Sequence, residues 1–184
     1  MNTRDIVLIA LFAAITAGLA VFPPITLPVV GVPITAQSLG IMLAGGVLGA
    51  RRGFLSIVLF LVLVALGLPL LAGGRGGFGV FAGATAGYLI GWAVAAFVIG
   101  YLIERFWANL SYVTALIACL LGGVVVLYAI GVPWSAQVAG IPVSTALSGS
   151  LPFIPGDIIK ALIAAGVIMI VKRSYPIIGT GSKA

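Results

Sequence analysis

The sequence predicts an all-α membrane protein, with residues 1–184 forming a single domain of six transmembrane helices. Three observations lead there. First, 62% of the 184 residues are hydrophobic and 7% are charged, whereas a soluble domain carries about a quarter charged residues. The mean hydropathy of +1.35 says the same. Second, charges, prolines and glycine clusters divide the chain into six apolar stretches. A span with its connection takes roughly 25–30 residues, since the span alone needs about 20, so six fill this length. Third, the cations are distributed one-sidedly, as shown below.

The first stretch, residues 5–22, stops at Pro23-Pro24. The loop after it holds Pro23, Pro24, Pro28 and Pro33, a density that excludes helix. The second stretch covers 34–50 and ends at Arg51-Arg52. The third covers 54–71, with Pro69 near its end or kinking it. The run Gly73-Gly74-Arg75-Gly76-Gly77-Phe78-Gly79 then breaks the helix. The fourth stretch covers 80–103 and ends at Glu104-Arg105; the fifth covers 112–130. Residues 131–154 read as a long connection with Pro133, Pro142 and Pro152 and no charge. The sixth helix starts near Pro155 and ends at Lys172-Arg173. Pro155 suits a first helical position, and Asp157 complements the dipole of the first turn. No alternation of barrel-strand length recurs, so the spans are helices.

Six spans put both termini on one side. That side holds Arg4, Arg51, Arg52, Arg105, Lys172, Arg173 and Lys183, and the other holds only Arg75. The positive-inside rule then makes both termini cytoplasmic, in a multi-pass protein of the cell (inner) membrane whose surrounding partner is lipid. The same topology accounts for the net charge of +6, because the cations form no stripe that would suit nucleic acid. Arg4 with Gly18 and Ala20 resembles a signal peptide, but the membrane-like chain downstream favours an uncleaved first helix. Cys119 is the one cysteine and there is no histidine, so no disulfide, metal site or cofactor is expected. No Gly-x-Ser-x-Gly elbow or nucleophile–base set supports a membrane enzyme.

In this topology three polar groups of residues converge on the outer face. Thr35 and Gln37 begin the second helix. Thr35 would serve as a cap and Gln37 lie at the lipid interface, or both would face a solute. The glycine loop with Arg75 precedes Thr85 and Tyr88. It is either a flexible turn or a cradle whose exposed N–H groups and Arg75 hold an anion. It is no phosphate loop, since no Gly-Lys-Ser or Gly-Lys-Thr follows. Asp157 and Lys160 share one face of the sixth helix. A charge at mid-span costs roughly 2.5–3.5 kcal/mol on insertion scales, so this is either a self-neutralising pair or the wall of a site. Trp134, Phe153, Phe78 and Tyr88 offer apolar walls. In the first helix Ala10, Ala14 and Gly18 form one row of small residues, and Ala13 and Ala17 another. Such rows allow close helix approach, inside the protein or against another subunit.

The segments Gly31-Val32-Pro33-Ile34-Thr35-Ala36-Gln37, Met42-Leu43-Ala44-Gly45, Gly49-Ala50-Arg51-Arg52-Gly53, Gly67-Leu68-Pro69, Ala72-Gly73-Gly74-Arg75-Gly76-Gly77, Ala86-Gly87-Tyr88-Leu89-Ile90-Gly91 and Pro152-Phe153-Ile154-Pro155-Gly156-Asp157-Ile158-Ile159-Lys160 together resemble the BioY family. These are the biotin-binding S subunits of energy-coupling factor (ECF) transporters. The resemblance runs from the first helix to the sixth; Ala84-Thr85-Ala86 departs from it, where Pro-Thr-Gly is common. It implies a six-helix S-component bundle that captures biotin from outside, beneath the first, third and fifth loops. Asp157 and Lys160 would hydrogen-bond the ureido ring, and Gly73, Gly74, Arg75 and Gly77 would hold the valerate end. Thr35, Gln37, Thr85 and Tyr88 would complete the site. Ala10 and Ala14 would dock a transmembrane coupling protein (the T component) driven by two ATPase subunits. Some members of the family are thought to work without that module. An S subunit for another vitamin remains the alternative within the transporter class, and an assembly protein the alternative outside it.

Overall fold

The computed structural model describes residues 2–26 and 32–178. Pro28, Gly31 and Lys183, used above, lie outside the described residues. Helix α1 spans Thr3–Gly18 and runs on through a 3₁₀ turn, Leu19–Val21. It begins two residues before the expected start because Asn2 and Asp5 form a reciprocal capping box, at 2.9 and 3.1 Å. A short antiparallel pair follows, β1 (Ile25–Thr26) with β2 (Pro33–Ile34), with Ile25 opposite Ile34.

Helix α2 is shorter than expected, Gln37–Leu48, and α3 begins immediately after it at Ala50–Ala65. The break is Gly49, held at φ 87, a conformation that L side chains avoid. Arg51 and Arg52 therefore open α3 rather than close α2. The Glu104 carboxylate accepts the Ala50 N–H at 3.0 Å, placing negative charge on the N-terminus of α3. Because α3 also starts and ends early, Pro69 falls in the loop beyond it. A 3₁₀ turn, Phe78–Phe81, then precedes α4 (Ala86–Arg105), so the helical stretch expected from residue 80 begins later.

The largest difference is in the second half. Helix α5 (Tyr112–Leu120) passes through a π-helical segment, Leu121–Val126, into α6 (Leu127–Ala139). Pro133 sits inside α6. Helix α7 (Val143–Ser150) and a 3₁₀ turn, Leu151–Phe153, follow. The expected connection over 131–154 is thus mostly helix. Pro142 and Pro152 sit at the starts of helical segments, where the missing N–H is not needed, so only Pro133 interrupts a helix. The absence of charge over the same residues was the better signal. Helix α8 (Ile154–Ser174) starts as expected, with Pro155 and Asp157 in its first turn.

The core forms around α2, of which only Leu39 and Leu43 escape burial. It packs against α1, α3, α4 and α8, and α4 in turn packs against α6. Ile41, Met42, Phe60, Ile99 and Ile168 are among the fully buried side chains. A Cβ at Gly45 would collide with the Ala96 carbonyl, so α2 and α4 meet backbone to backbone. Among the described residues, four helical stretches are long and apolar enough to cross a membrane: Thr3–Val21, Ala86–Arg105, Tyr112–Ala139 and Val143–Ser174. At one end of the bundle, Arg52 binds the Asp5 carboxylate and the Ile177 carbonyl, both at 3.2 Å. Also there, Arg4 lies over the Tyr175 ring, and Lys172 over Trp107 while donating to the Leu110 carbonyl. The β1–β2 pair, the glycine loop and α7 lie at the other end, above the cavity described next.

Candidate binding site

At that second end α2, α4, α6 and α8 enclose a cavity of about 580 Å3, counting its open mouth. The polar part of its wall is a connected cluster. Asp157, in the first turn of α8, is 5% exposed. Its Oδ1 accepts Lys160 Nζ at 2.9 Å and Ser38 Oγ at 3.3 Å. Lys160 also donates to Ser38 Oγ at 2.9 Å, which closes a triangle between α8 and α2. Tyr128 of α6 donates to Asp157 Oδ2 at 2.6 Å. A buried ion pair offsets its desolvation only when further hydrogen bonds satisfy its remaining lone pairs and donors, and Ser38 and Tyr128 do this. The pair is therefore more than two neighbours on one helix neutralising each other. Of the three Lys160 donors, these bonds use two.

Tyr88 stands edge-on to Tyr128, with centroids 6.0 Å apart, and its hydroxyl meets Ser150 Oγ at 3.2 Å. Thr35 and Thr85 also line the cavity. Thr35 is not the cap considered above: Ala36 holds the N-cap position of α2, without a side-chain bond. Arg75 also lines the cavity and donates from Nε to the Ala72 carbonyl at 3.2 Å. It lies in a loop and is half-buried, and loss of solvation pulls its pKa below the ordinary guanidinium value. The glycines Gly73, Gly74 and Gly77 are not among the lining residues; they supply the positive φ values, 79, 70 and 87, that bend the loop.

Gln37 is buried rather than interfacial. Its Nε2 donates to the carbonyls of Thr16 and Leu70, both at 3.0 Å, and its Oε1 accepts the Ala72 N–H at 2.9 Å. Two of the expected apolar walls lie elsewhere. Phe78 is 78% exposed, and Trp134 donates to the Gly83 carbonyl, outside the cavity lining. Phe153 and Tyr88 do line it, joined by Trp92, Leu127 and Leu71. The sequence reading missed Ser38 and Tyr128. Ser38 follows Gln37 directly, and Tyr128 is a lone phenol in an apolar run, which in a membrane helix is a signal in itself.

The structure separates the two small-residue rows of α1. Ala13 is buried and Ala17 half-buried, so that row packs inside. Ala10, Ala14 and Gly18 are exposed beside Ile6, Val7 and Leu11, and a Cβ on Gly18 would meet nothing within 4 Å. Among the described residues, no three His, Cys, Asp or Glu side chains gather as a metal site would require.

The comparisons with known proteins agree with one another. A biotin transporter BioY of Rhizobium etli is 52% identical over 183 residues, covering 97% of this chain and 98% of that one. A biotin transporter BioY of Rhodobacter capsulatus is 46% identical over 94% of this chain and 95% of its own length. A crystal structure of the S-component for biotin from an ECF-type ABC transporter superposes with a TM-score of 0.91 at 34% identity, covering 96% of this chain and 97% of that one. The model of the BioY family matches residues 1–177, and on these grounds the chain belongs to the BioY family.

Proposed function

We propose that the protein captures biotin from outside the cell in this cavity and serves as the S subunit of an ECF transporter. One observation carries the reading: the buried Asp157–Lys160 pair, tied to Ser38 and Tyr128, sits in the wall of an otherwise largely apolar cavity. Biotin has matching parts. Its ureido group offers a carbonyl acceptor and two N–H donors to Lys160 and Asp157. Its thiolane ring and methylenes suit Trp92, Leu127 and Phe153. Its carboxylate suits Arg75, with the bend at Gly73, Gly74 and Gly77 presenting that residue. Thr35, Thr85 and Tyr88 add hydroxyls to the wall, and Gln37, which also lines it, ties it to α1 and the glycine loop.

Orientation and span count belong to the same reading. Residues 1–184 would form one domain of six crossings, the short α2 and α3 counted with the four longer stretches. Arg4, Arg51, Arg52, Arg105, Lys172 and Arg173 lie at the end away from the cavity, which supports cytoplasmic termini in the cell (inner) membrane. The exposed Ala10–Ala14 row supports docking of a transmembrane coupling protein. The chain itself has no Walker motif, so two ATPase subunits would supply the energy. Family membership makes the chain a transport protein and not an enzyme, and biotin is its cargo rather than a cofactor.

Binding of radiolabelled biotin to the purified protein in detergent is the test. Saturable binding at nanomolar to micromolar concentration is expected. No binding in that range removes biotin and leaves another vitamin as the solute. Uptake by vesicles, with and without the coupling protein and ATPases, distinguishes the ECF-driven protein from a stand-alone transporter.

A further inference from the structure

The glycine loop is held from outside as well as from within. Leu71 and Arg75 exchange backbone hydrogen bonds at 3.0 and 3.2 Å, which closes a turn with Gly73 and Gly74 at its corner. The Gln37 carboxamide grips the chain on both sides of Leu71. It donates to the Leu70 carbonyl and accepts the Ala72 N–H, as one residue of a parallel neighbouring strand would. Its other Nε2 hydrogen goes to the Thr16 carbonyl and anchors the grip to α1. The amide orientation is unambiguous, since reversing it would set the oxygen against two carbonyls. Both donors and one acceptor position are thereby occupied, in a side chain that is 1% exposed. From Ala72 the connection continues, because its carbonyl accepts Arg75 Nε at 3.2 Å and Arg75 stands in the cavity wall.

We infer that Gln37 is a positioning residue for Arg75. Through Ala72 it fixes the glycine turn, so that the guanidinium is already in place when a ligand carboxylate arrives. It lines the cavity but acts through the loop, since both of its N–H donors are taken by the Thr16 and Leu70 carbonyls. A turn with two adjacent glycines has wide backbone freedom when unheld, and fixing it before binding removes an ordering cost from the affinity. The inference rests on the proposed function in one respect, that Arg75 faces the carboxylate end of biotin.

The experiment compares biotin with biotinamide, its neutral carboxamide, by calorimetry on the full chain in detergent. Arg75→Gln should weaken biotin roughly tenfold or more while leaving biotinamide within about twofold. Gln37→Met, similar in length and without the amide, should reproduce that selective loss. The double variant should be no weaker than Arg75→Gln alone, since residues acting as one unit are not additive. Equal loss of both ligands in Gln37→Met, or losses that add in the double variant, would overturn the inference and leave the reading of Arg75 standing. An unchanged biotin-to-biotinamide ratio in Arg75→Gln would remove that reading, and the inference with it. If Gln37→Met does not fold, Gln37→Asn keeps an amide too short to span Thr16, Leu70 and Ala72. It is judged by the same outcomes.

Discussion

Asp157 is one of three acids in the chain, and each of the three is committed to a specific donor. Asp5 pairs with Arg52, Glu104 accepts the Ala50 N–H, and Asp157 receives Lys160, Ser38 and Tyr128. So few acids in so apolar a chain leave little room for decoration. The Tyr128 bond is the shortest in the cluster, and a hydrogen bond to a charged group contributes roughly 1.5–3 kcal/mol. Tyr128→Phe is therefore expected to lower biotin affinity roughly tenfold while the protein still folds, as titration in detergent would show. Asp157→Asn should cost more, because Lys160 is left buried without its counter-charge. Unchanged binding in a folded Asp157→Asn protein would make the pair structural. The sequence revealed the Asp157–Lys160 spacing, since three residues apart is one helical face. Their bonds to Ser38 and Tyr128 cross 119 and 29 residues of chain, a separation that no local pattern encodes.

At the scale of elements, the joint between α2 and α3 is the feature least visible beforehand. The paired arginines looked like a span boundary, yet the boundary is one residue, Gly49, with Glu104 against it. Gly49→Ala combines an unfavourable φ with a clash against that carboxylate, and should destabilise the protein by roughly 1–3 kcal/mol. A fall in thermal unfolding temperature in detergent, with biotin affinity little changed at the far end, would confirm the assignment. Helix α1 poses a different question, because its two small-residue rows are nearly identical in sequence. Only packing distinguishes them, burying Ala13 and leaving Ala14 outside. Ala14→Leu should accordingly leave biotin binding intact and reduce co-purification with the coupling protein. Loss of biotin binding instead would mean that the exposed row supports the fold.

For the whole molecule, the two ends divide the work. One end is basic and tied together by Arg52, Glu104 and Lys172; the other holds the cavity beneath short, glycine- and proline-rich segments. This polarity yields a direct test of orientation. Cys119 is buried, so replacing it by Ala and adding one cysteine gives a clean reporter. A membrane-impermeant maleimide applied to intact cells should label Gly79→Cys at the cavity end and spare Ser174→Cys at the basic end. The reverse pattern would invert the proposed topology.

Composition by itself determined that this chain lives among lipids, because 7% charged residues cannot cover a water-facing surface. Local spacing determined the start of α8 and the Asp157–Lys160 face, since capping and helical periodicity act over a few residues. Ordered motifs pointed to the family. Tertiary structure decided the rest. It turned the proline-bearing connection at 131–154 into helix, because Pro142 and Pro152 sit at the starts of helical segments, where no backbone N–H is needed, and only Pro133 lies inside one. It also moved Gln37 from the lipid interface to a buried clamp, because its three hydrogen-bond partners come from two segments distant in sequence. A side chain's burial depends on what folds over it, and that is a property of the assembled bundle rather than of any one stretch of the chain.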